Sequence, residues 1–246
     1  MNIEMNTEMT ILLVMIFVAI YLIYDNYQHP VNSKDFIINI YLYIFVALLF
    51  IAVASKYVAK MKISDPSNAF KLVVVYFILA CGGLSMMFSD QFFVNHIGFL
   101  LLLLALSLMV GTSTKYSSHV PEAAAITAII VSILTGIVYF SSEETLIRMS
   151  GWIKNLLWVL VCVIIIELGY FFLGGANRTF YKVMAFSVII LFGFFVLSDT
   201  SRLLLESQNL SCKTHGCINY PLKASKLVLD YVNIFLRVLR LRNSSS

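Results

Sequence analysis

Charge is what this chain has least of. Only 12% of its 246 residues are Asp, Glu, Lys or Arg, about half the ~25% usual in a soluble domain. Several signatures are also missing. There is no glycine fingerprint of a dinucleotide site, no phosphate-binding loop and no His-Glu-x-x-His run. The four histidines sit in different connections or at helix ends, so no metal site or metal-dependent hydrolase is expected. The basic residues form no single clustered patch, which excludes a nucleic-acid footprint. Apolar runs are continuous rather than alternating, which excludes a membrane β-barrel. The N-terminus carries Glu4 and Glu8 instead of the basic region of a signal peptide.

What the chain does have is apolar length. Hydrophobic residues make up 60% of it, and the mean hydropathy is +0.90. Apolar segments fall at Thr10–Tyr24, Phe36–Ser55, Phe70–Phe88, Phe92–Val110, Val120–Phe140, Trp152–Leu173, Phe180–Leu197 and Leu222–Leu241. Most approach the roughly 20 residues that span a bilayer as helix. Unpaired backbone groups are not tolerated in hydrocarbon, so the fold class is all-α: one polytopic helical membrane bundle of seven or eight crossings. Two segments leave the count open. Thr10–Tyr24 is short, and Phe70–Phe88 with Phe92–Val110 reads either as a tight hairpin or as one re-entrant element. Eight crossings put ten basic residues on one side and seven on the other, so both termini are expected to be cytosolic.

Chemistry concentrates in the last segment. Asp230 has eight apolar-run residues before it and eleven after it within Leu222–Leu241, near the depth midpoint of a membrane. A charge there costs about 3 kcal/mol on insertion scales. Lys223, Lys226, Asp230, Asn233, Arg237 and Arg240 follow spacings of three and four, which puts them on one helical stripe. Such a stripe is expected to face the bundle interior or a polar cavity, although the outer Lys and Arg side chains can also reach the interfaces. Asp199 closes the preceding run, with Arg202 three residues on as its alternative partner. If the two helices pack antiparallel, Asp199 and Asp230 share one small site. Two carboxylates in such a site cannot both ionise cheaply and hold one proton between them, the makings of a pH switch. Glu167 is a third intramembrane acid, either lining the same cavity or paired with a basic neighbour, or else neutral and bonded to a backbone carbonyl. Glu122 follows Pro121 at a helix start and is expected to cap it.

On an eight-crossing topology the loop from Ser201 to Pro221 is lumenal or extracellular. Cys212 and Cys217 there are candidates for a small disulfide, and Asn209-Leu-Ser211 for glycosylation. Small residues at Ala80–Ser85 and Ala123–Ala128 are expected to allow close helix approach.

These residues resemble a known family. The run Val228–Leu229–Asp230–Tyr231–Val232–Asn233–Ile234–Phe235–Leu236–Arg237 resembles the closing helix of the Bax inhibitor-1 family. Leu197–Ser198–Asp199–Thr200 resembles that family's tyrosine-aspartate-threonine segment. Ala125–Ile126–Thr127–Ala128 with Leu134–Thr135, and Gly82–Gly83–Leu84–Ser85, are similar to two further signatures. Together they cover about Phe36 to Leu241. Ser198 and Ser201 stand where the family has tyrosine and glutamine, and the acidic pair before the last helix is replaced by Ile218, Asn219 and Tyr220. The apolar segments also number one more than the family's seven. A diverged member fits these departures, a viral one better than a housekeeping one.

The resemblance implies a pH-dependent calcium leak that restrains cell death, with calcium as the transported ion, no cofactor and no catalysis. It implies Asp199 and Asp230 as the pH-sensing pair, with Lys56, Lys60 and Lys62 as the nearest counterpart of a basic partner on an early helix. The implied setting is the lipid bilayer of the endoplasmic reticulum or Golgi, or a viral envelope or inner membrane. Membrane-bound cell-death regulators are the implied partners. The competing expectation is a non-conducting membrane interaction protein or viral envelope component. The glycine motifs that flank paired aspartates in intramembrane proteases are absent.

Overall fold

The computed structural model describes residues 32–61, 66–172, 177–210 and 218–244, plus positions 10, 14, 17–21, 23 and 24; the side chains of 66–69 and 171 are excepted. As an element the expected span Thr10–Tyr24 lies outside the described residues, and so do Lys62, Cys212 and Cys217. The described chain forms eight helices and no strand. They are α1 (Ser33–Ala59), α2 (Pro66–Met87), α3 (Phe92–Thr114), α4 (Val120–Tyr139), α5 (Glu143–Ser150), α6 (Ile153–Phe172), α7 (Arg178–Gln208) and α8 (Tyr220–Asn243).

Local sequence sets their starts. The Asn32 side chain accepts from the Asp35 amide at 2.9 Å, capping α1. Asn177 does the same for α7 through the Thr179 amide, also at 2.9 Å. Pro121 and Glu122 occupy the first turn of α4, where a missing amide and a negative charge are both tolerated. Six of the described helical stretches are long and apolar enough to cross a membrane: Ser33–Ala59, Phe70–Met87, Phe92–Thr114, Val120–Tyr139, Glu143–Tyr170 and Arg178–Gln208. The last helix has 24 residues, about 36 Å of rise, yet it fails on composition because it carries Lys223, Lys226, Asp230, Arg237, Arg240 and Arg242.

Of the two readings of Phe70–Phe88 with Phe92–Val110, the structure has the tight hairpin: the connection after Met87 is a short turn between two full helices. Two boundaries differ from the sequence reading. Residues Glu143–Ser150 form an unexpected short helix, with Leu146 and Met149 buried against Val138, and with Leu197, Leu204 and Leu205 packed on that cluster. Finally, α7 does not stop near Asp199. It continues through Gln208, where Leu204 and Leu205 pack against this small core.

The chain divides into two compact units, Met1–Tyr116 with Leu210–Val228, and Ser117–Asn209 with Leu229–Ser246. In the first, α1 and α3 are the inner helices and α2 is largely exposed. Membrane helices gain no hydrophobic drive from meeting one another, so close packing has to supply it. Gly83 and Gly98 provide that contact between α2 and α3. A Cβ on Gly98 would lie 2.6 Å from the Gly83 oxygen and 2.7 Å from the Met87 nitrogen. Gly111 plays the same part between α3 and α1, where a Cβ would lie 2.7 Å from the Ser55 oxygen. Gly82, grouped with Gly83 in the sequence reading, faces open space. The start of α8 enters this unit through Tyr220, whose ring stacks on Tyr43 at 5.7 Å and 7°. In the second unit α7 is the inner helix. The outer helices α4 and α6 expose Ile129, Ile133, Leu157, Trp158 and Ile165, which we read as lipid-facing.

We expect Gly98→Ala to destabilise the protein by about 1–3 kcal/mol, because the methyl group forces two backbones apart. Gly82→Ala should leave stability level or slightly raised. Thermal unfolding in detergent checks this, and equal midpoints for the two variants would contradict the close contact.

Candidate functional site

Asp199 sits nine residues before the end of α7 and is 7% exposed; Asp230, midway along α8, is 5% exposed. Both belong to the second unit. Asp199 lies within electrostatic reach of Asp230. The reading of Asp199 as a solvated helix end fails, because α7 carries on past it and buries it. Arg202, offered as its partner, instead donates from Nε to the Ser150 carbonyl at 3.0 Å.

Hydroxyls surround the Asp199 position in the chain. Ser198, Thr200 and Ser201 are all buried. Ser201 donates to the Leu197 carbonyl at 2.7 Å. Ser198 Oγ, Thr200 Oγ1 and Asp230 Oδ2 have no hydrogen-bond partner among the described residues. Buried polar atoms are rarely left so, and a carboxylate oxygen without a donor is one that can take a proton, a water or a cation. No three His, Cys, Asp or Glu side chains gather as a metal cage among the described residues. The carboxylate pair presents hard oxygens.

The supporting residues divide differently from expectation. Asn233 turns back on its own helix, donating to the Leu229 carbonyl at 2.8 Å. Arg237 does not join the aspartates. It grips Glu167 of α6 with both arms of its guanidinium, one of them at 2.8 Å, and Arg240 approaches the same carboxylate at 3.6 Å. Glu167 is therefore paired with basic neighbours rather than neutral. Its side chain is 20% exposed and that of Arg237 19%. Glu122 stands in the first turn of α4, pairs with Arg242 near the end of α8 and lies 3.3 Å from His119. Lys56 in the last turn of α1 and Lys60 just after it belong to the first unit and are exposed, with Lys60 over the Tyr57 ring at 5.6 Å. Asn209 follows α7, is exposed, and donates to the Leu205 carbonyl at 3.0 Å.

A second polar cluster escaped the sequence reading. His96 of α3 pairs with the Tyr43 hydroxyl at 2.7 Å, and its other ring nitrogen meets the Phe92 carbonyl at 2.7 Å. If that nitrogen donates to the carbonyl, Tyr43 is left as donor to Nε2. The partners are 53 residues apart in the chain, so no local pattern announces the pair.

A family model described as "Inhibitor of apoptosis-promoting Bax1" matches residues 33–246. The chain belongs to the Bax inhibitor-1 family. No curated protein and no solved structure matches it. The family match begins at the first residue of α1. The long helices α1–α4 and α6–α8 fill the matched region, and they number seven. Of the two candidates for the additional segment, Phe92–Val110 thus lies inside the family region and Thr10–Tyr24 lies before it.

We expect Arg237→Ala to lower the melting midpoint more than Arg240→Ala. The first removes a two-armed contact and leaves Glu167 with a distant partner, at a cost of about 1–3 kcal/mol for so partly buried an acid. The second removes an approach too long for a hydrogen bond. The reverse order in thermal unfolding would refute this assignment.

Proposed function

We propose that this protein is a pH-sensitive leak for calcium in an intracellular membrane, that it limits cell death by modulating stored calcium, and that it does so without catalysis. Asp199 and Asp230 are the responsive element. One observation carries the reading: two carboxylates, each at least nine-tenths buried, act on each other from α7 and α8. Like charges so placed resist simultaneous ionisation, and a shared proton ties the two helices together. Loss of that proton leaves two repelling charges on helices that must then separate or admit a cation and water. The family match supports the same reading, since the Asp199 and Asp230 motifs both lie within it.

Calcium flux from proteoliposomes, measured across the physiological pH range, tests the proposal. Wild type should conduct with a pH-dependent rate. Asp199→Asn and Asp230→Asn remove the titrating groups with little change of shape, and each should hold the flux at one level across pH. Wild-type flux at the background of empty vesicles would sink the proposal. So would an unchanged pH response in both variants. Protection of cells by a protein that carries no calcium would point instead to a non-conducting role among membrane proteins.

A further inference from the structure

One end of the second unit gathers more positive charge than it balances. Arg237 takes both oxygens of Glu167, and Arg240, 52% exposed, reaches that carboxylate only at 3.6 Å. Arg178, first residue of α7, donates to the Ser244 carbonyl and so brings a third guanidinium to the end of α8. Tyr181, one turn along α7, lies within electrostatic reach of Arg240. Glu122, the other acid placed among these groups, is engaged by Arg242 and His119. Arg237 and Arg240 thus share one carboxylate, while Arg178 stands at the end of α8 on a backbone carbonyl.

Two features beside this cluster are apolar. Tyr170, at the end of α6, stacks on Phe180 at 3.7 Å and meets Tyr181 edge-on at 5.8 Å. Aromatic rings of this kind collect at the level of lipid headgroups. Below them on α7, Val183, Phe186 and Ile190 are exposed; at spacings of three and four they form one strip leading away from Arg178.

We propose that Arg178 and Arg240 bind the phosphate of an anionic phospholipid, whose acyl chain lies along Val183, Phe186 and Ile190. Guanidinium forks match phosphate oxygens in geometry and charge. Inorganic phosphate shares that chemistry but has no use for the apolar strip, so the lipid is the ligand we commit to. With the C-terminal end of α8 cytosolic, as its arginines lead us to expect, the site faces the leaflet where anionic lipids concentrate. The site does not depend on whether the protein conducts ions.

Native mass spectrometry of the full-length protein in detergent tests this, with phosphatidic acid, phosphatidylcholine and inorganic phosphate as probes. Wild type should retain phosphatidic acid well above phosphatidylcholine. Arg178→Gln with Arg240→Gln should reduce that retention by about tenfold, equivalent to about 1.4 kcal/mol. Arg240→Lys should keep part of it, and Arg148→Gln, in the exposed short helix α5, should keep all of it. Because Arg237 and Glu167 remain, the Gln variants should melt close to wild type; if the double variant does not fold, Arg240→Gln alone decides, with a smaller loss expected. Equal retention of the two lipids by wild type, unchanged retention in the Gln variants, or displacement of the lipid by inorganic phosphate would each overturn the proposal.

Discussion

Hydrocarbon offers a charged side chain no partner, and α8 carries six such side chains along its length. The second unit is arranged around that constraint. Each of its three long helices besides α8 contributes one acid to it: Glu122 from α4 meets Arg242, Glu167 from α6 meets Arg237 and Arg240, and Asp199 from α7 comes within electrostatic reach of Asp230. At its other end, in the first unit, α8 is held by aromatic and amide contacts. Tyr220 stacks on Tyr43, Lys223 lies over the Phe36 ring at 5.7 Å, and Asn219, just before the helix, donates to the Met87 carbonyl at 2.7 Å. A helix too polar to cross lipid on its own composition is thereby kept within protein.

The three acidic contacts are not equivalent. Those of Glu122 and Glu167 join opposite charges; Glu167 and Arg237 are each about one-fifth exposed, so removing one strands the other in a poor solvent, whereas Glu122 and Arg242 are each about two-fifths exposed. The meeting of Asp199 and Asp230 joins like charges and gains nothing unless a proton or cation intervenes. Two contacts therefore hold α8 in place while the third depends on what occupies it. This contrast, rather than burial alone, is why the aspartates and not Glu167 form the responsive element. Packing provides the rest of the rigidity. At Gly83, Gly98 and Gly111 backbones approach to distances that admit no side chain, as expected where dispersion must replace the hydrophobic drive.

Several features were legible before any coordinates. The helical membrane class followed from the scarcity of charge and the continuity of the apolar runs. The stripe on α8 was visible because residues at spacings of three and four share a helix face. Asp199 and Asp230 were singled out by their depth in apolar sequence, and Gly83 by its small neighbours. The motif around Asp230 also placed the chain beside the right family.

The sequence by itself determined which long apolar helices form from Phe36 onward and which residues lie on one face, since both follow from local periodicity and from the demand that every backbone bond be met within its own segment. Tertiary structure alone decided which charges meet. Arg237 and Glu167 are 70 residues apart, and no spacing rule says whether that arginine turns to Glu167 or to Asp199. The length of α7 was likewise set from outside, by the apolar cluster of α4 and α5 against which its last turns pack. The pairing of Tyr43 with His96 rests on how α1 and α3 are rotated about their axes. Such pairings depend on the orientation of helices distant in sequence, and that orientation is a property of the packed chain.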